Sequence, residues 1–223
     1  MDKVIIYGNG KIARIIFHFV KKQFDVVAFS VEKKFINENE SDVEGLPLIP
    51  FEILETSFPP RNHKMLICVG YVEMNKVRED KFIESKEKGY EFINYIHPSV
   101  EIHDNNKIGE NNIILDHVSI QPYVDIGNSN FIWSNVVVAH GSRIENTNWI
   151  TSGVVISGDS TIKSNCFLGV NASIGHNVNI GNETFVGANA LVTKSTNTKE
   201  VFISREADKF RLDSRRFLQF TGV

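Results

Sequence analysis

The chain has 223 residues, 42% of them hydrophobic, and a formal net charge of −3 at pH 7. That is enough for two modest domains, with no basic stripe or face of the kind that nucleic-acid binding needs. No apolar run approaches the roughly 18 residues of a membrane span, Met1 to Tyr7 lacks the charged region and cleavage site of a secretory signal, and the two cysteines, Cys68 and Cys166, imply no disulfide framework. A cytoplasmic protein without nucleic-acid or membrane partners is therefore expected.

In chain order, Lys3 to Tyr7 (KVIIY) predicts a short buried strand, and Lys11 to Val20 has helical apolar spacing. Between them Gly8, Asn9 and Gly10 begin a G-x-G-x-x-A pattern with Ala13 in the third slot. Such a strand-to-helix junction lets backbone approach a phosphate at a helix N-terminus. A dinucleotide site would also want an acid closing the second strand, expected over Asp25 to Ser30. Ser30 stands there instead, with Glu32 two residues later, so NAD is not the expected ligand. Val43 to Pro50 leads into a short helix near Phe51 to Thr56. Lys64 to Val69 predicts a third strand, Gly70 to Asn75 opens a helix to about Lys88, and Tyr90 to Tyr95 completes a small parallel sheet. Alternating strands and helices predict an α/β domain with ligand loops at the strand C-termini: Gly8 to Lys11, Ser30 to Lys33 and Gly70 to Asn75.

From Ile96 an aliphatic residue recurs every six positions to Val192, filling seventeen consecutive slots with Ile, Val or Leu. Neither an amphipathic helix nor a strand sustains that period, so the pattern predicts stacked coils. Glycine often follows the aliphatic residue (Gly109, Gly127, Gly169, Gly175, Gly181 and Gly187). Four positions after it come compact side chains such as Val118, Val136, Ser142, Val154 and Ala172. Residues 96–192 carry 3 Lys/Arg against 8 Asp/Glu, whereas 193–223 carry 7 against 4, which makes the end basic.

The repeat resembles that of the hexapeptide-repeat transferases, which wind into a left-handed parallel β-helix with three six-residue sides per coil. Together with Gly8-Asn9-Gly10, Gly45-Leu46-Pro47, His97-Pro98-Ser99 and Ala139-His140, the chain is similar to the sialic-acid and nucleotide-sugar acetyltransferases. The resemblance implies a Rossmann-like nucleotide-sugar domain over 1–95, a left-handed β-helix over 96–197 and a short tail over 198–223. The tail departs from the family, since Val201 to Ala207 lacks its Gly/Pro turn.

With 18 residues per coil, residues 18 apart sit above one another at the ~4.8 Å spacing of hydrogen-bonded strands. Asn112, Asn130 and Asn148 then stack inside as an amide ladder, and His140, Gly158, His176 and Lys194 form a column of roughly 14 Å along one corner. The resemblance implies that acetyl-CoA lies along this column between subunits of a homotrimer, against Gly158, His176, Gly187, Ala188 and Lys194. It makes His140 the general base and the Gly158 amide the donor to the thioester carbonyl. Relatives often carry an acid directly after the histidine, where this chain has Gly141; Asp159, one coil above, is the candidate substitute. The nucleotide sugar is assigned to Gly8, Asn9, Gly10, Lys11, Ser30, Gly70, Tyr71 and Asn75. The expected reaction is N-acetylation of a UDP- or dTDP-linked amino-deoxysugar, without a metal and without an acyl-cysteine. O-acetylation of a glycan and a non-catalytic sugar-binding trimer are the alternatives. A zinc lyase is disfavoured, because no third histidine follows His176. His18, His63, His103 and His117 stand without a constellation, and Trp133 and Trp149 are expected to pack against the N-terminal domain or a subunit.

Overall fold

The computed structural model describes residues 1–37 and 41–222. Six N-terminal strands, β1 (Lys3–Tyr7), β2 (Asp25–Val31), β3 (Asp42–Val43), β4 (Leu46–Pro50), β5 (Lys64–Ile67) and β6 (Glu91–Phe92), form one sheet in the order β3-β4-β2-β1-β5-β6. All neighbours are parallel except the β3/β4 hairpin. Its two-residue turn, Glu44-Gly45, has positive φ at both positions, the geometry that matches strand twist in a tight hairpin. Alternate residues of β1 serve the two faces of the sheet. Val4 and Ile6 pack with α1 (Lys11–Val20) through Ala13, Ile16 and Val20. Ile5 and Tyr7 meet Leu54 of α2 (Leu54–Ser57) and Phe82 of α3 (Lys76–Glu87).

Several boundaries differ from the sequence reading, among them β5, which ends at Ile67 rather than Val69, and α2, which spans Leu54–Ser57. The second strand runs one residue further, to Val31, which places Glu32 directly at its end. The third helix starts only at Lys76, because Glu73, Met74 and Asn75 take left-handed φ values of 50°, 51° and 69°. The segment expected as one strand over Tyr90 to Tyr95 divides. Glu91–Phe92 joins the N-terminal sheet, while Tyr95–Ile96 pairs with Ile113–Ile114 of the coils.

From Tyr95 onward the chain forms a left-handed parallel β-helix whose three flat sides are sheets of five, five and seven strands. Its register is 18 residues from Tyr95 to Val192: Ile114, Ile132, Ile150, Leu168 and Val186 are stacked partners. These side chains fill the interior and are essentially inaccessible. Ile102 is the exception to the aliphatic frame, at 39% exposed. It lies outside the paired strands, in the first coil, which has a neighbour on one side only. Glycine after the aliphatic residue has a steric cause at Gly109, where a Cβ would stand 2.6 Å from the Gly127 carbonyl oxygen of the next coil.

The corners carry a second period. Every sixth residue from Asn111 to Asn189 has positive φ, twelve of them non-glycine, with Gly141 and Gly153 completing the set. Inside, the expected ladder forms. The Asn112 side-chain oxygen accepts from the Asn130 amide N–H and side chain, the Asn130 oxygen accepts from the Asn148 N–H, and the Asn148 oxygen accepts from the Cys166 N–H. Asn94 adds the first rung, accepting from the Asn112 N–H at 2.8 Å. Pairing also continues past the last aliphatic slot, where Val201–Phe202 adds a rung to Phe185–Val186.

One side of the coils is covered by the N-terminal domain. Phe131 and Trp149 are buried in the same cluster as Phe17 and Phe29, and Tyr71 packs on Trp149 and Phe167 at 5.4 and 4.8 Å. Arg78 of α3, only 1% exposed, fastens the joint. Its Nε donates to the Ser129 carbonyl, Nη1 to those of Val69 and Gly70, and Nη2 to those of Thr147 and Asn148, at 3.0–3.2 Å. Burial pulls its pKa down to about 9, which leaves it a cation at neutral pH. Replacing it by leucine strips carbonyls that are out of reach of water, at about 1–3 kcal/mol for each group left unpaired. In urea titrations Arg78→Leu is expected to lose about 3 kcal/mol or more. Lys76→Ala, which breaks only exposed pairs with Glu79 and Asp80, should stay within about 1 kcal/mol of the parent.

Candidate active site

The expected corner column is present. Val138, Ile156, Ile174 and Val192 are successive strand partners, and His140, Gly158, His176 and Lys194 each follow by two residues. The His140 side chain is exposed to solvent and lies flat against Gly158. A Cβ built on Gly158 would stand 2.6 Å from Cε1 and 2.9 Å from Nε2 of the imidazole. The absence of a side chain at 158 is thus what seats the ring. Backbone amides at this point of the coil face outward. That of His140 is taken by the Gln121 side-chain oxygen at 3.0 Å, whereas that of Gly158 donates to no group among the described residues. A neutral imidazole beside an uncommitted N–H supplies a proton acceptor and an oxyanion donor within one coil spacing.

Asp159 does not hold the His140 ring. Its backbone N–H donates to the His140 carbonyl at 2.9 Å, but its carboxylate lies over Gly141, where a Cβ would come within 2.3 Å of Oδ1. The nearest titratable partner of that carboxylate is His176, with Nε2 3.9 Å from Oδ2. Glycine at 141 therefore satisfies both a left-handed φ of +66° and the carboxylate above it. Further along, the Gly187 N–H is bound by the Phe202 carbonyl and the Ala188 carbonyl accepts from the Ser204 hydroxyl, so the start of the tail occupies both. Lys194 stays exposed.

The N-terminal domain contains a cavity of about 800 Å³ at the C-terminal ends of β1, β2 and β5. Gly8, Asn9, Gly10, Lys11 and Gly70 line it as expected. Ser30, Tyr71 and Asn75 do not. Ser30 is fully buried within β2, Tyr71 lies on Trp149 and Phe167, and Asn75 is buried at the joint, donating to the Cys166 carbonyl at 3.1 Å. The Asn9 side chain is committed to the fold, donating to the Phe35 carbonyl at 3.2 Å. Sequence reasoning missed the charged floor. Lys81, 7% exposed, bridges Glu32 and Glu84 at 3.2 and 2.6 Å, and Lys34 reaches Glu32 at 3.3 Å. Burial works against a charged Glu32, but the hydrogen bonds from Lys81 and Lys34 outweigh it and hold the carboxyl below the usual range. Placing the end of β2 one residue later would have revealed Glu32.

Burial pushes the Cys68 thiol up strongly and the Cys166 thiol up to about 12, which removes both as nucleophiles near neutrality. His117, read as isolated, lies 4.0 Å from Asp116. Asp116 in turn accepts from the Ser134 hydroxyl at 2.5 Å, and that bond, with His117 and His97 nearby, outweighs burial and holds its carboxyl low. Among the described residues no group of three or more His, Cys, Asp and Glu side chains is arranged to hold a metal ion, and no helix is long and apolar enough to cross a membrane.

Residues 159–194 match the family model for the bacterial transferase hexapeptide (six repeats). No curated protein matches the chain in sequence. Among solved structures, a histidine-to-asparagine mutant of perosamine N-acetyltransferase from Caulobacter crescentus, in complex with CoA and GDP-perosamine, is similar with a TM-score of 0.80 at 21% identity. The match covers 90% of this chain and 93% of that one. WeeI from Acinetobacter baumannii gives 0.77 at 20% identity, covering 90% and 96%. The acetyltransferase domain of PglB from Neisseria gonorrhoeae, in complex with acetyl coenzyme A, gives 0.76 at 18%, covering 87% and 92%.

A methyl group at 158 has to displace the His140 ring, which is exposed and free to turn away. Gly158→Ala is expected to shift the His140 imidazole resonances in a proton–carbon NMR spectrum while the melting temperature stays within a few degrees. Unchanged resonances would show that the ring does not rest on Gly158 in solution.

Proposed function

We propose that this protein is an acetyl-CoA-dependent N-acetyltransferase acting on the amino group of a nucleotide-linked amino-deoxysugar for a surface glycan. The observation that carries the reading is the His140 imidazole seated on Gly158, beside an amide with no partner among the described residues. The pocket at the ends of β1, β2 and β5 supports a nucleotide, with Lys11 at the first turn of α1 where a phosphate is favoured. That solved structures of the same fold contain CoA or acetyl coenzyme A, and three of them GDP-perosamine, supports both substrates. UDP and dTDP are the expected carriers, and the Caulobacter relative adds GDP.

In this mechanism the sugar amine attacks the thioester carbonyl carbon, and a C–N bond forms as His140 takes the amine proton. The Gly158 N–H stabilises the negative charge on the carbonyl oxygen. Collapse breaks the C–S bond, and the proton held by His140 passes to the departing thiolate, giving the N-acetyl sugar and free thiol. The pantetheine arm runs along His176 toward Lys194. Asp159 acts on that arm's wall through His176 rather than on His140, because its carboxylate faces His176. With no carboxylate on His140, positioning of the two substrates carries a large share of the rate. The working assembly is a homotrimer with the column between subunits, for which sedimentation of a concentration-independent monomer would be the contrary result.

Release of thiol from acetyl-CoA, measured across UDP-, dTDP- and GDP-linked 3-amino and 4-amino sugars and neutral glycans, tests the assignment. One amino sugar should give rapid release, and His140→Ala should lower it by about 10²–10⁴-fold. Release with a neutral glycan alone would transfer the activity to hydroxyl acceptors. Tight nucleotide-sugar binding with no release from any acceptor would leave a binding protein.

A further inference from the structure

Beyond the proposed reaction, the C-terminal segment presents an apolar surface that its own chain leaves uncovered. After Phe202 the chain leaves the coils, held last by the Ser204 hydroxyl on the Ala188 carbonyl, and ends in α4 (Ser214–Thr221). The helix is well specified locally. Asp213 caps its N-terminus by accepting from the Arg216 N–H at 3.0 Å, Gly222 closes it in the left-handed conformation, and the Phe210 ring packs edge-on against Phe217 at 5.3 Å. Yet none of its residues is buried. Phe217, Leu218 and Phe220 are 41%, 50% and 74% exposed on one side, with Arg215, Arg216 and Gln219 on the other. Eight residues are too few for a helix to persist alone in water, so an amphipathic helix of this length implies a surface that covers it.

The coils carry the matching surface. On the outward face of the five-stranded sheet that ends at Leu191–Val192, Val155 and Leu191 are stacked two coils apart and are 40% and 69% exposed. The chain's own helix leaves that face open. Charge also matches in sign, since residues 96–192 carry 8 Asp/Glu against 3 Lys/Arg, whereas the segment from 205 on carries Arg205, Lys209, Arg211, Arg215 and Arg216 against Glu206, Asp208 and Asp213. A lipid surface would answer the helix and leave the coil face uncovered, whereas a second copy answers both.

We propose that residues 205–222 are an inter-subunit arm, with α4 laying its Phe217/Leu218/Phe220 side on the Val155/Leu191 face of a second copy of this chain. Hydrogen exchange of residues 214–221 in the full chain, followed from high to low protein concentration, tests it. At high concentration the amides should be protected at least 10-fold relative to an unstructured peptide. Protection should vanish on dilution and should be absent in Leu191→Asp, a change at an exposed position. Free exchange at every concentration would overturn the arm, even if sedimentation shows the assembly and thiol release intact. Protection that survives dilution would assign the helix to its own chain. Protection that appears only with phosphatidylserine-containing vesicles would assign it to a membrane surface.

Discussion

Backbone stacked on backbone at strand spacing is the constraint from which the rest of this molecule follows. A coil of 18 residues closes only if the chain turns three times, and each turn here passes through one residue in the left-handed region, every sixth position from Asn111 to Asn189. For most side chains that region costs roughly 1–2 kcal/mol per residue, and least for Gly, Asn and Asp, which is why asparagine takes so many of these corners. The cost is offset inside, where each corner delivers an aliphatic side chain to the axis and a backbone amide to the strand above. The same geometry produces the site. Residues otherwise far apart in sequence are brought to one edge, and a glycine in one coil becomes the seat for a histidine in the next.

Polar groups inside this construction tie the two halves together. The asparagine ladder starts at Asn94, in the segment that leaves the N-terminal sheet, and climbs to Cys166. Arg78 reaches across from α3 and spends all its donors on carbonyls of its own domain and of two coils. A buried cation without a carboxylate is expensive to form. It persists because five carbonyl dipoles converge on it and Trp149 lies against its face at 5.4 Å. The domain that contains the pocket and the coils that contain His140 are thereby joined through a polar core as well as an aromatic one.

Much of this was legible in the residues, and the parts that were not have physical reasons. The aliphatic frame, the asparagine ladder and the His140 column are consequences of a strict period, so arithmetic on the sequence finds them. The period at the corners escaped notice because Asn and Asp are common in any turn, and their regular recurrence three positions past the aliphatic slot is the signal that distinguishes them. Glu32 stands two residues beyond the strand end that the sequence predicts at Ser30, and directly at the end of β2, because the strand continues to Val31. Tyr71 and Asn75 belong to a loop that lines the pocket through Gly70, Val72 and Glu73, but their own side chains face the coils, where an aromatic ring and an amide have partners to satisfy. Asp159 was placed correctly above Gly141, and only its direction, toward His176, required coordinates.

The unbroken run of corners also limits how such a chain can change in length. Between Asn111 and Asn189 no loop interrupts the coils to absorb an extra residue. A single insertion or deletion there would put every later aliphatic on the wrong side of the wall, and one between His140 and Gly158 would separate the two. Substitutions are accommodated one site at a time, but length is quantised: the segment can grow or shrink without losing phase only by whole turns of 18 residues, and each such step beyond His140 would move the Lys194 end of the column relative to it by one strand spacing.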